Sequence, residues 1–232
     1  GGSPTVSDTK FVGNRALYDG GAIYILNGNP RLTGLAFSAN TVFSSTGRGG
    51  AIYIGAGSAP IIESSVFTGN TAFNGGAIYH TGISATLRNL TFTGNSALTA
   101  SLNVRGSGGG LYIASAAGMD SLRFQNNFAA GFGGGMYIAS GNQALSNATF
   151  DANYGFHGGG LQVDAGTLTL MDATFTGNSA GAGGGMETGY AATATLSRVS
   201  FLANTAYNGG GVSAGFEMTY TNVIFAANAS QQ

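Results

Sequence analysis

Asp164 and Glu187 are the two acids of this chain whose spacing could support chemistry. Each follows a Gly-Gly-Gly run, Asp164 six residues after Gly158 and Glu187 four after Gly183. On adjacent strands of one sheet, offset by two residues, their Cα atoms would lie about 8 Å apart. Carboxylates roughly 6.5–9.5 Å apart suit an inverting glycosidase, one protonating the leaving oxygen and the other activating water. The remaining acids do not cluster as a calcium site would require, and His80 and His157 have no zinc or triad spacing. No metal or cofactor is therefore expected, and both histidines are read as surface or corner residues.

A second constellation suits binding. Tyr24, Tyr53, Tyr79, Tyr112 and Tyr137 each follow the aliphatic residue of a Gly-Gly motif, and the series continues with Gln162, Glu187 and Ser213. Stacked, the five phenols predict a flat outward stripe able to lie against sugar rings or a partner protein. Eight residues (Thr41–Arg48) and twelve (Ser96–Ser107) separate Asn from Gly-Gly in two repeats, where most have four or five. These insertions are expected to project beside the stripe and bring Arg48 and Arg105 to it. On the preceding strand, Glu63, Arg88 and Asp120 predict an exposed acid–base–acid ladder that sets register.

Such columns require a repeating scaffold. Phe-x-x-Asn occurs nine times, from Phe11/Asn14 to Phe225/Asn228, at intervals near 25 residues. Between successive copies stands Gly-Gly-Ala/Gly plus an aliphatic residue, eight times, ending at Ile23, Ile52, Ile78, Leu111, Met136, Leu161, Met186 and Val212. Apolar residues alternate over a few positions and never keep a helical period, so each repeat reads as about three short strands and three corners. Residues five and two before each Phe are mostly apolar, and the one three before is usually a bend former. A coil of this size cannot enclose a core, whereas stacked coils bury one continuous column. The expectation is an all-β parallel β-helix of about nine coils, one domain over 1–232, with an internal Phe ladder and an Asn ladder. Position three after Asn (Leu17, Phe43, Phe73, Leu98, Phe156, Tyr207) adds another apolar column, read as scaffold.

Composition agrees. The 232 residues hold 42 Gly, 15 Phe and 10 Tyr but only 8 Lys+Arg and 9 Asp+Glu. A net charge of −1 offers no field for nucleic acid, and no apolar run is long enough to insert in a membrane as a helix. With no Cys, disulfides and thiolate metal sites are impossible.

The motifs Gly20-Gly21-Ala22-Ile23, Gly49-Gly50-Ala51-Ile52 and Gly75-Gly76-Ala77-Ile78, each beside a Phe-x-x-Asn, resemble the repeats of the polymorphic outer-membrane protein family, within the pectate-lyase-like β-helices. From Gly108 onward Ala becomes Gly and the resemblance drifts. It implies a right-handed β-helix, extracellular or on a bacterial outer surface, acting as an adhesin-like or structural binding element on a glycan or a host or neighbour-cell surface protein. The chain begins and ends within a coil, which predicts a piece of a longer protein or end-to-end self-association into a filament. The enzymatic alternative is a polysaccharide hydrolase or lyase using Asp164 and Glu187.

Overall fold

The computed structural model describes residues 2–101 and 104–230. The chain is all-β, winding through about nine stacked parallel coils, and the described residues form no helix. Each Gly-Gly strand pairs in register with its equivalent in the next coil: Ile23, Ile52, Ile78, Leu111, Met136, Leu161, Met186 and Val212 form one inward column. A separate nine-stranded sheet, the short sheet, is built from the two to five residues that follow each ladder Asn, from Arg15–Ala16 to Ala229–Ser230.

The repeat arithmetic becomes packing directly. All nine Phe of Phe-x-x-Asn stack face to face, with successive centroids 4.5–5.0 Å apart, and the seven from Phe37 to Phe201 are fully buried. The coil spacing fixes that distance, because strands in a sheet lie about 4.8 Å apart. Beside the rings, Asn70 Nδ2 donates to Phe37 O (3.1 Å) and to Asn95 Oδ1 (2.9 Å), and Asn95 Oδ1 also accepts the Asn70 N–H. This pattern continues from coil to coil, so each buried amide satisfies a corner that no strand hydrogen bond can reach.

Three corners turn each coil through the left-handed region. The residue three before Phe has φ between 48° and 67° in all nine repeats, at Ser64, Asn89 and even Arg198. The first Gly of each Gly-Gly is also left-handed, and at Gly50, the second of its pair, a Cβ would lie 2.1 Å from Gly76 O. Successive corners stack backbone on backbone there, which excludes every side chain.

The middle coils carry the expected three strands, as in Ile61–Thr68, Thr71–Ala72 and Ile78–His80, and the division varies towards the ends. The pieces Thr5–Ser7 and Lys10–Val12 are separate in the first coil, merge across the corner from Ile61–Thr68 to Met186–Leu202, and are separate again as Met218–Thr221 and Ile224–Ala226 in the last. In Leu161–Thr176 and Met186–Leu202 the Gly-Gly strand joins them as well. His80, expected at a surface or corner, is fully buried. It occupies the second inward column, in register with Ile54 and Ile113. Its hydrogen bonds explain how the core tolerates it: Gly82 N–H donates to Nδ1 (3.3 Å), and Nε2 lies 3.1 Å from Ala116 O and from Ser115 Oγ.

Candidate functional site

The five stripe tyrosines do stack. Tyr24–Tyr53, Tyr53–Tyr79 and Tyr79–Tyr112 have centroids 5.0, 5.7 and 4.4 Å apart, and Tyr112–Tyr137 is tilted at 5.0 Å. The predicted open stripe is nevertheless covered: Tyr53, Tyr79 and Tyr137 are buried, Tyr112 is partly so, and Tyr24 alone is half exposed. The cover is a second column, the residue immediately before each Gly-Gly, where the chain bends back over the strand it is about to enter. Arg48 lies 4.7 Å from the Tyr53 centroid and 5.5 Å from that of Tyr79, and Phe132 packs 5.9 Å from Tyr137. The sequence signal for this covering column was its constant place before Gly-Gly, but only the fold reveals that it faces the tyrosines.

Arg48 is held over the rings by a bidentate pair with Asp19 (2.7 and 2.8 Å), which pushes its pKa further up. Burial raises the phenol of Tyr79, that of Tyr112 to about 12, and that of Tyr137 as well. These phenols stay neutral over the physiological range and serve as packing.

Asp164 and Glu187 lie on adjacent coils with the expected offset: Gln162 pairs with Glu187, and the register shifts beyond Val163. Each acid is tied to the coil before its own. Asp164 Oδ2 accepts the Tyr137 hydroxyl (3.2 Å), and Glu187 Oε2 lies 2.9 Å from His157 Nδ1. Burial raises the pKa of Glu187, with His157 opposing it. His157 therefore belongs to this network, stacked on Phe132 at 5.4 Å. Among the described residues no group of three or more His, Cys, Asp or Glu could hold a metal ion.

The second insertion also differs from its expected course. Thr99–Ser101 and Val104–Arg105 form a small antiparallel ribbon, and Leu102 and Asn103 of the predicted loop lie outside the described residues. Arg105 lies 3.9 Å from the ring centroid of Phe156, on the short sheet, and joins no stripe tyrosine. The first insertion does bring Arg48 to the stripe. The ladder of Glu63, Arg88 and Asp120 keeps its register, but Glu63 pairs with Arg31 (2.7 Å), and Asp120 accepts Ser146 (2.6 Å) and Asn147 (2.7 Å).

The open aromatic surface is instead the outer face of the short sheet. The sheet's inward column is small, running Ala16, Val42, Ala72, Ala97 and Ala129. The residue after each inward one points out, so much of the column read as scaffold is half exposed: Phe43 is 49 % accessible, Leu98 44 % and Phe156 44 %, with Phe73 more covered. Phe128 and Tyr154, stacked at 5.6 Å, add to it from the column alongside and carried no repeat signal. A cleft of about 250 Å³ opens among Phe43, Phe73 and Leu98, and another of about 340 Å³ among Tyr154, Phe156 and Tyr207.

No curated protein and no solved structure matches the chain. Residues 8–26, 64–81 and 89–114 match the Chlamydia polymorphic membrane protein repeat. Each stretch spans one Phe-x-x-Asn and the Gly-Gly motif after it, including the Gly108-Gly109-Gly110-Leu111 variant. The chain thus carries repeats of the Chlamydia polymorphic membrane protein type, wound into a parallel β-helix.

Proposed function

We propose that the chain is a surface-associated β-helix whose short sheet, and not its tyrosine column, attaches the molecule to a glycan or a protein on another surface. The family match suggests association with the outer membrane or cell surface, and an extracellular, adhesin-like role is the reading built on it. The observation that carries it is the half-exposed column Phe43, Leu98 and Phe156 with its two clefts. Aromatic and aliphatic area left outside a well-filled core marks a place of contact. The role is read as non-catalytic because neither Asp164 nor Glu187 lines the clefts.

Attachment of fluorescent beads coated with the protein to a panel of animal and bacterial cells tests this reading. Phe43→Ser/Leu98→Ser/Phe156→Ser should lose attachment while keeping the circular dichroism of the parent. Undiminished attachment overturns the assignment of the face. Reducing-sugar release from a polysaccharide panel, abolished by Glu187→Gln, would overturn the non-catalytic role.

A further inference from the structure

The outer face of the short sheet carries charge as well as apolar area. The Arg15 guanidinium lies 4.1 Å from the Phe43 centroid, as Arg105 lies 3.9 Å from that of Phe156. A guanidinium resting on a ring keeps its N–H fork free at the edge, preorganised for a planar anion. Arg31, Arg48 and Arg198 have carboxylate partners, whereas among the described residues neither Arg15 nor Arg105 has an ion pair. Phe43 and Phe156 stand four coils apart in one column, roughly 19 Å at the strand spacing. Both clefts open along that line, and a parallel column of half-buried hydroxyls, Thr41, Thr71 and Ser96, runs beside it.

These features narrow the occupant. Among the described residues the outward columns of this sheet hold no carboxylate, so a second copy meeting the face with its own short sheet would set arginine against arginine. A bilayer would meet the face as a plane and leave the clefts unfilled. A densely sulfated polymer would bring more charge over 19 Å than two arginines can neutralise, and it would bare little C–H surface to the rings.

We propose that the face binds a linear glycan bearing sparse carboxylates. Apolar sugar faces lie on Phe43 and Phe156, carboxylates meet the forks of Arg15 and Arg105, and the hydroxyl column takes sugar hydroxyls. This rests on the reading of the chain as a binding element and names its ligand class.

The test is calorimetric titration with hyaluronan oligosaccharides, in which every second sugar is a uronic acid, against heparin and neutral dextran. Hyaluronan should bind more tightly than either. Arg15→Gln and Arg105→Gln should each weaken it about tenfold and flatten its salt dependence, with Arg105→Lys between. Phe43→Ser/Phe156→Ser should weaken hyaluronan binding at unchanged circular dichroism. Absence of hyaluronan binding, preference for heparin, dextran or anionic lipid vesicles, or indifference to the arginine changes would overturn the proposal. Loss of cell attachment in the triple variant without hyaluronan binding would remove the glycan alone. Retained attachment in that variant would remove the site itself.

Discussion

His157 Nδ1 and Glu187 Oε2 stand 2.9 Å apart across two adjacent coils, joining the column that precedes Gly-Gly to the column that follows it. Burial raises the Glu187 pKa and His157 opposes that rise. The folded chain therefore holds this proton to higher pH than the unfolded one. Its contribution to stability is full below the ordinary carboxylate pKa and falls as pH rises through the folded value. His157→Ala should move the Glu187 titration further up, read from side-chain carboxyl NMR shifts; a downward move would contradict the pairing.

His80 has the opposite sense. Gly82 N–H donates to Nδ1, which must stay unprotonated, and burial lowers the ring's pKa. Stability is complete above the unfolded value near 6.5 and declines as pH falls through it toward the folded value. His80→Ile, matching its register neighbours Ile54 and Ile113, should abolish that decline in urea titrations between pH 7.5 and 5.

The Asn ladder predicts a gradient along the rod. Asn127→Ala removes the acceptor of Asn95 N–H and the donor to Phe92 O, both buried, and should cost about 2–4 kcal/mol. Asn14→Ala, at an exposed position, should cost under about 1 kcal/mol. Equal losses in chemical denaturation would count against a continuous buried ladder.

Arg48 shields Tyr53 and Tyr79. Nitration followed by peptide mass spectrometry should modify Tyr24 quickly and those two slowly. Arg48→Ala should bring Tyr53 and Tyr79 toward the rate of Tyr24.

The core was legible in the sequence because stacking turns a repeat into a column. Phe at each period, apolar residues five and two before it, and a bend former at three before it name the ladder, the inward faces and a left-handed corner. Exposure was not legible, because it depends on what lies across a corner. Tyr53 alternates outward as predicted, yet Arg48, five residues earlier, is turned over it by the left-handed Gly49. Leu17, Phe43 and Phe156 read as core by type but follow an inward Ala, Val or Gly, so the strand's twofold alternation sends them out. Arg105 followed its ribbon to the short sheet, a course set by the pairing of Thr99 with Arg105 and not by loop length.

Carbene footprinting of the cell-bound protein against the free protein tests the account most directly. Protection should concentrate at Phe43, Leu98, Phe156 and Tyr207 and leave the exposed Tyr24 unchanged. Protection at Tyr24 with the short sheet still labelled would contradict it.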